Sequence, residues 1–443
     1  MSRSTLLQRL DEIRPIKIHG RVCRAVGLTI EGTGPVTSIG QRCQIFSPAG
    51  DHVEAEVVGF RDNRVLVMPL GEVRGIGPGS RLVYHPGSPS VRVGSELLGR
   101  VLDGLGHPLD GKGPVPSTVS YPLFSPSLNP LHRARITKPL DLGIRAINGL
   151  LTCGQGQKIG IFAGSGVGKS VLLGMMCRQT AADVTVLALI GERGREVKEF
   201  IEKELGEEGL KRTVVIAATS DQPPLVRLRG AFIATAIAEY FRDQGQHVLL
   251  LMDSLTRVAH AQREVGLAVG EPPTSKGYPP SVFTVLPRLL ERVGPTTSGS
   301  VTGLYTVLVE GDDLADPVAD FVRTILDGHI VLSRDLASRA HFPAIDVLQS
   351  VSRVMPDIVE PSQMDSARAL VELMSLYRNA EDLINLGAYR SGSNPRLDLA
   401  VAMMDPITQF LRQGIGDRAD LAASLQGLDQ LVAQAQELGG QKT

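Results

Sequence analysis

Residues 163–170, with the sequence AGSGVGKS, constrain the fold of this chain more than any other segment. They follow an apolar run of strand length and precede a second apolar run, so strand, loop and helix come in that order. Glycines allow the backbone to turn tightly, so that successive N–H groups point at one anion at the start of a helix. The segment follows the pattern G-x-x-x-x-G-K-[ST], with Ala163 in place of the first glycine, and predicts a loop that binds the phosphates of a nucleoside triphosphate.

The residues of this loop have different expected roles. Lys169 is expected to reach the outer phosphates, and Ser170 to offer its hydroxyl to a magnesium ion (Mg²⁺) that bridges them. The other residues of the predicted nucleotide-binding set surround the phosphates: Gly164, Ser165, Gly166, Val167, Gly168 and Val171. A purely structural glycine-rich turn is the alternative, and the Lys-Ser pair argues against it.

Length, charge and cysteine content exclude several classes of protein. At roughly 150 residues per domain, the 443 residues indicate two to four domains. Lys and Arg number 46 and Asp and Glu 47, so no overall basic field favours nucleic acid or anionic lipid. The four cysteines lie far apart, which argues against a zinc site or disulfides and fits a reducing cytoplasm. Because no apolar run has the length of a membrane span, we expect a soluble protein with at most a peripheral membrane role.

The N-terminal quarter of the chain changes from a helical to a strand pattern. Residues 1–15 place leucines and one isoleucine at helical spacing, which predicts an amphipathic helix that is either a packed cap or a contact for a partner. Residues 16–95 are short β-branched runs divided by glycine and proline, which predict a small β-barrel. Its few aromatic residues and weak basic character favour a structural collar over a nucleic-acid reader, so we expect no nucleic-acid partner.

The rest of the chain predicts an α/β fold. Residues 96–120 are rich in glycine and proline and form a predicted linker. Residues 121–355 alternate apolar strand-like runs with helical patterns, which predicts a mostly parallel sheet covered by helices on both faces. Residues 356–443 carry apolar positions at helical spacing only and predict a helical C-terminal domain.

Two acidic residues end predicted strands near the phosphate loop in the expected fold. Asp253 ends the run HVLLLMD, and an acid at the carboxyl end of a strand can hold Mg²⁺ directly or through water. Glu192 follows the run VTVLALIG and is expected to position and activate the attacking water, with Glu196 as its rival. Arg193 and Arg195 are placed to pair with either glutamate. From the residues alone, a turn residue and a surface ion pair are the alternatives.

Seven motifs in order identify a family resemblance that covers nearly the whole chain. They are AGSGVGKS, IGERGREV, LLLMDSLTR, GEPPTSKGYPPSVF, YTVLVEGDD, DGHIVLSR and FPAIDVLQSVSRV. Together they resemble the ATPase of the type III protein export apparatus, the flagellar version most of all. This family is similar to the catalytic subunit of the rotary F-type ATP synthase. The resemblance implies a P-loop (RecA-like) domain and Mg²⁺-dependent hydrolysis of ATP.

The resemblance also implies a homohexameric ring with active sites between neighbours. By position, Lys169 and Ser170 bind phosphate and Mg²⁺, Glu192 with the adjoining Arg193 belongs to the catalytic group, and Asp253 supports the metal. Arg353 matches the arginine that enters the adjacent subunit's site, where a guanidinium neutralises charge on the transferred phosphoryl group.

Two further residues are assigned to the base only by the resemblance. Phe342 matches the aromatic residue that stacks on adenine, although a phenylalanine before a proline is more often a core residue. The family also closes the base pocket with C-terminal residues, which we place loosely at Gln413.

The partners expected from the resemblance are a stalk protein, a regulator, cargo and a membrane gate. The loop of residues 270–283 resembles one that meets a central stalk protein, with a rigid connector as the alternative. A stator-like regulatory protein is expected at the N-terminal helix, and export chaperones and substrates at the helical domain. The expected location is cytoplasmic, peripheral at the inner membrane face beside the export gate.

Three other functions remain as alternatives. A rotary-synthase catalytic subunit takes its trans arginine from a different chain, whereas here one chain offers both Glu192 and Arg353. A hexameric RNA translocase predicts stacking aromatics and a basic groove in the barrel, which are sparse. A scaffold that only binds nucleotide is disfavoured by the same glutamate and arginine.

Overall fold

The computed structural model describes residues 19–34, 37–85, 87–117, 119–131, 133–309 and 316–440. The predicted amphipathic helix of residues 1–15 lies outside these ranges. The first described unit is a closed six-stranded barrel with antiparallel pairing and the order β1-β2-β5-β4-β3-β6. Its strands are β1 (His19–Val26), β2 (Thr29–Thr33), β3 (Arg42–Phe46), β4 (His52–Arg61), β5 (Arg64–Pro69) and β6 (Arg81–Tyr84).

The barrel closes around its own small apolar core. Alternate residues of its strands point inward, as the two-residue period of a strand requires. The buried interior is made by Val22, Ile30, Cys43, Ile45, Ala55, Val57, Val65, Val67 and Leu82. The predicted β-barrel is therefore confirmed.

The predicted linker contains a strand of the central sheet. Strand β7 (Ser90–Val93) pairs with β9 (Val119–Pro122), and between them β8 (Val101–Asp103) lies parallel to a strand of the central sheet. Asp110 anchors the intervening turn, because its carboxylate accepts hydrogen bonds from Arg100 at 2.7 and 3.0 Å. A strand of three residues is too short to show a period, which is why composition indicated only a linker here.

The central sheet has eight strands in the order β16-β15-β10-β14-β13-β11-β12-β8. All neighbours are parallel except β15 and β16. The strands in the middle of the sheet are buried on both faces, which explains their continuous apolar runs. The strands after β9 are β10 (Lys158–Ala163), β11 (Val184–Ile190), β12 (Thr213–Ala218), β13 (His247–Asp253), β14 (Ser300–Leu308), β15 (Gly328–Leu332) and β16 (Ile345–Ser352).

Helices cover both faces of this sheet and form the C-terminal unit. The first eight described α-helices are α1 (Arg145–Leu150), α2 (Lys169–Gln179), α3 (Gly194–Glu199), α4 (Gly206–Lys211), α5 (Pro224–Asp243), α6 (Leu255–Val269), α7 (Pro280–Leu290) and α8 (Pro317–Ile325). They are followed by α9 (Arg334–Ser338), α10 (Met355–Ile358), α11 (Pro361–Asn385), α12 (Pro395–Leu411) and α13 (Leu421–Gly440). A π-helical segment (Phe200–Leu205) joins α3 to α4, and 3₁₀ turns lie at Ser95–Leu97 and Ser275–Gly277.

Each face of the sheet has its own apolar core. Helices α5 to α8 contribute to one core, which receives alternate residues of β11 such as Val186 and Ala188. Helices α1, α2 and α11 to α13 contribute to the other, which receives Leu187 and Leu189. The predicted α/β fold with a barrel before it and a helical domain after it is therefore confirmed.

A buried ion pair attaches the barrel to the central domain. The Arg229 guanidinium on α5 donates to the Glu56 carboxylate on β4, and both side chains are almost fully buried. A second contact joins the barrel to the end of α6, where Arg61 donates to the backbone carbonyl of Val269 at 2.6 Å. These contacts fix the barrel against the sheet through side chains far apart in sequence.

We predict that Arg229→Met lowers the free energy of unfolding by about 3 kcal/mol, because it leaves the Glu56 carboxylate buried without its cation. Urea denaturation followed by circular dichroism measures the change. The matched control is Arg64→Met, which removes the exposed pair with Glu31 and is expected to cost less than about 1 kcal/mol. Equal losses in the two variants would contradict the prediction.

Candidate nucleotide-binding and catalytic site

The candidate site lies at the carboxyl ends of four adjacent strands, β10, β14, β13 and β11. Because these strands are parallel and in register, the segments that follow them meet at one edge of the sheet. The phosphate loop follows β10, Asp253 ends β13, and Glu192 comes two residues after β11. Parallel topology thus brings together residues that are up to 90 positions apart in the chain.

The phosphate loop runs from the end of β10 into the first residue of α2. Gly166 and Gly168 have φ values of 77° and 83°, in the left-handed region that favours glycine. Helix α2 begins at Lys169, so its unpaired N-terminal N–H groups face the loop. Val167 is buried beneath the loop, whereas Ser165 and Ser170 are exposed to the cleft. The loop has the backbone geometry that an oxyanion requires.

Lys169 lies between two carboxylates at this edge of the sheet. Its Nζ atom donates to Oδ1 of Asp253 at 2.5 Å and lies 3.8 Å from Oε1 of Glu192. Thr306 on the intervening strand β14 donates its hydroxyl to the same Asp253 oxygen at 2.6 Å. The ammonium, both carboxylates and the hydroxyl therefore form one compact polar cluster.

Glu192 has the electrostatic properties of a proton acceptor that works near neutral pH. Burial and the neighbouring Asp253 carboxylate raise the pKa of Glu192 to about 7, although the Lys169 ammonium acts in the opposite direction. Its Oε1 atom is buried and has no hydrogen-bond partner among the described residues. A carboxylate with a raised pKa and an unsatisfied oxygen can accept a proton from a bound water.

A cleft of about 1280 Å³ is lined by the phosphate loop and by Lys169 and Glu192 of this cluster. Arg193 and Glu196 lie at its rim and form an ion pair of 3.5 Å with each other, so Arg193 pairs with the rival glutamate. The other charged or hydrogen-bonding residues around the cleft include Arg257, His260, Arg263, Lys276, Tyr278, Asp316 and Arg334.

Phe342 lies against the phosphate loop of its own chain. A Cβ atom placed on Gly168 would contact the Phe342 ring at 3.4 Å, and the ring remains 45% exposed. A half-exposed ring beside the start of α2 is accessible for stacking on a base.

Gln413 is held by protein groups. Its side-chain amide donates to the carbonyl oxygens of Gly143 and Asp417 at 2.8 and 3.1 Å. Its side-chain oxygen accepts from the backbone N–H of Arg145 at 3.0 Å. The backbone N–H of Gln413 donates to the carbonyl of Phe342 at 2.9 Å, so Gln413 reaches the candidate base site through the main chain.

Arg353 lies outside the cleft of its own chain. It follows β16 at the other side of β15 from the phosphate loop, and its side chain is exposed. Its backbone N–H donates to the carbonyl of Asp327 at 3.0 Å, which fixes the point where the chain leaves the sheet.

The cluster fits a magnesium ion that arrives with a triphosphate. Hydroxyl and carboxylate oxygens are the protein ligands that Mg²⁺ prefers, and Ser170 and Asp253 supply them beside the phosphate loop. The unsatisfied buried oxygen of Glu192 adds negative potential at the same place. Among the described residues, no group of three or more His, Cys, Asp or Glu side chains could hold a metal ion by itself. A site with so few protein ligands fits an ion that phosphate oxygens also bind.

Two residues near the cluster were not singled out from the sequence. Thr306 bridges β14 to Asp253 and had only a weak signal, namely its place within the motif YTVLVEGDD. Arg257 packs its methylene groups where Gly191 lacks a side chain, and its buried Nε atom has no hydrogen-bond partner among the described residues. Only the fold brings either residue to the site.

Comparison with known families confirms that the chain contains the nucleotide-binding domain of an ATPase. Residues 143–352 match the nucleotide-binding domain of the ATP synthase alpha/beta family, and residues 359–430 match the C-terminal domain of the type III secretion ATPase EscN. The chain is 54% identical over 424 residues to the flagellum-specific ATP synthase of Pseudomonas aeruginosa, covering 95% of this chain and 94% of that one. The chain belongs to the flagellar and type III secretion ATPase family.

Other members of this ATPase family are similar to this chain over nearly its whole length. The flagellum-specific ATP synthase of Bacillus subtilis is 52% identical over 440 residues, which cover 98% of this chain and 99% of that one. The structure of the assembled ATPase EscN from enteropathogenic E. coli superposes with a TM-score of 0.89 at 46% identity, covering 93% of this chain and all of that one. A second structure, of assembled EscN with its central stalk EscO, gives a TM-score of 0.87 at 45% identity, with the same coverage of both chains.

In the part of the chain that the structure describes, no helix is both long enough and apolar enough to cross a bilayer.

We predict that Asp253→Asn lowers the pKa of Glu192 from about 7, because it removes a negative charge that opposes ionisation of the glutamate. A pH titration of the full chain labelled with ¹³C-glutamate, followed by NMR, measures the shift, and Glu192→Gln assigns the signal. As a control, Asp320→Asn removes a surface carboxylate paired with Arg323 and should leave the titration unchanged. A Glu192 pKa that is the same in wild type and Asp253→Asn would refute the electrostatic cause given above.

Proposed function

We propose that this ATPase hydrolyses ATP with Mg²⁺ in a homohexameric ring and energises type III protein export of the flagellar kind by unloading substrates and chaperones. The observation that carries the proposal is the cluster of Lys169, Asp253 and Glu192 beside a phosphate loop of suitable geometry. Binding alone would not require a buried carboxylate with a raised pKa next to the expected position of the outer phosphate.

The residues of this chain divide the chemistry among themselves. Lys169 and the N-terminal N–H groups of α2 bind the phosphates, and Ser170 and Asp253 would hold Mg²⁺. When bound, Mg²⁺ neutralises phosphate charge and polarises the phosphoryl oxygens. Glu192 orients the attacking water and accepts its proton. The Phe342 ring stacks on the adenine.

The ring is needed because one chain does not complete the site. Arg353 is exposed on the opposite side of β15 from its own phosphate loop, so it is available to a neighbouring subunit. Its guanidinium would neutralise the charge that develops on the transferred phosphoryl group. The assembled state of the similar EscN supports a ring of this kind. Because Glu192 and Arg353 belong to the same chain, identical subunits suffice, which distinguishes this ring from that of a rotary synthase.

The proposed partners occupy surfaces at the rim of the cleft and beyond it. The loop of residues 270–283 lies at the end of α6 and contributes Lys276 and Tyr278 to the cleft, so a central stalk that meets this loop would contact the catalytic site. The complex of the similar EscN with its central stalk EscO supports a stalk partner. A stator-like regulatory protein at the N-terminal helix, chaperones and substrates at the helical domain, and a cytoplasmic position at the inner membrane gate complete the proposal.

We predict that Glu192→Gln binds ATP with nearly unchanged affinity but hydrolyses it at least about a hundredfold more slowly, because the amide cannot accept the proton. Nucleotide binding by fluorescence and phosphate release by a coupled assay measure the two quantities. Glu196→Gln is the matched control and should retain most of the activity. If Glu196→Gln were the inactive variant instead, the proton acceptor would have to be reassigned.

We predict that Arg353→Ala assembles and binds ATP but turns over about a thousandfold more slowly, since the trans guanidinium is lost. Mixing it with Lys169→Ala chains should restore part of the activity, because some interfaces then combine an intact phosphate loop with an intact arginine. The activity of mixtures at varied ratios gives the result. Mixtures that stay as inactive as the separate variants would count against a site shared between subunits.

A further inference from the structure

Two charged residues on one turn of α11 contact the segments that lead to Phe342 and to Arg353. Glu381 accepts a hydrogen bond of 2.7 Å from Arg339, three residues before Phe342. Arg378, three residues earlier on the same helix, donates to both oxygens of Asp346 on β16 at 3.2 and 2.7 Å. Residues three apart on a helix lie on the same face, so a single turn of α11 reaches both segments.

The segment from Arg339 to Phe342 is held from the C-terminal domain at several points. Besides the pair with Glu381, the carbonyl of Arg339 accepts from Arg412 at 3.4 Å, and that of Phe342 accepts from Gln413. Between them Ala340 has a φ of 54°, in the left-handed region that an alanine rarely adopts. Surrounding contacts must maintain such a conformation, and Arg339, the residue before Ala340, forms ion pairs with Glu381 at 2.7 Å and with Asp335 at 3.2 Å.

Arg378 contacts Asp346 where a large bulge in β16 begins. Asp346 pairs with Val331 on β15, and Val351 pairs with His329, so six residues of β16 lie opposite only three of β15. Bulges next to active sites redirect the side chains that follow them, and Arg353 comes two residues after this one ends.

The Asp346 carboxylate organises the bulge from inside. It accepts from the backbone N–H groups of Leu348 and Gln349 at 3.1 and 3.2 Å and from the side chain of Gln349 at 2.9 Å. Its side chain is only 3% exposed, and Arg378 is the cation that compensates its charge. Hydrogen bonding to Asp346 in turn raises the pKa of Arg378. Loss of the guanidinium would leave a buried carboxylate without its cation where the bulge begins.

We propose that Arg378 and Glu381 are positioning residues through which the C-terminal helical domain sets both ends of the nucleotide site. Glu381 holds the base-stacking segment of its own site, and Arg378 holds the strand that presents Arg353 to the neighbouring site. This inference rests on the proposed roles of Phe342 and Arg353. It means that a partner that displaces α11 changes base binding in one subunit and phosphoryl transfer in the next.

The test separates KM from kcat in the full-length chain at concentrations above assembly. Glu381→Gln is expected to raise the KM for ATP about twofold to fivefold with little change in kcat, because it loosens an exposed pair that holds the base-stacking segment. Arg378→Gln is expected to lower kcat about tenfold with KM nearly unchanged, since it displaces the trans arginine. Arg378→Lys, which keeps one hydrogen bond, should give an intermediate kcat.

The matched control is Glu372→Gln on the same helix. It removes the exposed pair between Glu372 and Arg396 of α12, which touches neither segment, and should leave both constants unchanged. The proposal is overturned if the Glu381 and Arg378 variants change the same constant, or behave like the Glu372 control.

Phe342→Ala and Arg353→Ala serve as references that keep this inference distinct from the proposed function. If those two variants leave KM and kcat unchanged, the proposed roles of the ring and the guanidinium fail. If they act as expected while the α11 variants do not, only the positioning role is lost. Where Arg378→Gln fails to fold, Arg378→Lys carries the test, and a wild-type kcat in it overturns the proposal.

Discussion

The contact between Lys169 and Asp253 is the interaction around which the site is arranged. Both side chains are largely buried, and their 2.5 Å separation leaves the ammonium compensated before any phosphate arrives. Breaking a buried ion pair is costly unless each charge finds a new partner. Under the proposed function, nucleotide binding exchanges these partners: phosphate oxygens would pair with the lysine, and the carboxylate would have to be compensated again. The need to compensate the Asp253 carboxylate is thus a stronger argument than the loop sequence that a cation binds together with the triphosphate.

The exchange depends on the sheet that holds the two partners. Lys169 lies after β10, and Asp253 is the last residue of β13. Strand β14 lies between these two strands, and its Thr306 donates a hydrogen bond to the Asp253 carboxylate. A slip of one residue in any of these strands would turn the side chains to the opposite face. The continuous apolar runs bury the strands on both faces and so fix their register. They therefore also determine where the side chains of the polar cluster lie.

The sequence predicted those parts of the molecule whose signals are local. The phosphate loop, Asp253 and Glu192 each follow a strand that its own apolar run reveals, so a parallel sheet was enough to bring them together. Strand β8 is too short to show a period, and β16 shows no regular alternation of buried and exposed residues, because its first three residues are all buried and a bulge follows. Their places in the sheet come from pairing with distant strands, which no local pattern records.

The base side of the site was harder to predict for the same physical reason. Phe342 and Gln413 entered only through a family resemblance, and their roles in base binding stay predictions. The structure adds that their backbones are joined by a hydrogen bond across 71 residues of sequence. The left-handed Ala340 shows that this region is not in its locally preferred conformation.

A segment held away from its preferred backbone conformation responds to whatever holds it. Residues 339–342 are held by Glu381, Arg412 and Gln413 of the C-terminal domain, in addition to backbone hydrogen bonds to α9. The phosphate side, by contrast, is held within the sheet by Thr306 and Lys169. The two sides of one site thus have different mechanical supports. Under the proposed positioning role, displacement of the helical domain would therefore change the base side of the site more than the phosphate loop, whose geometry the sheet maintains.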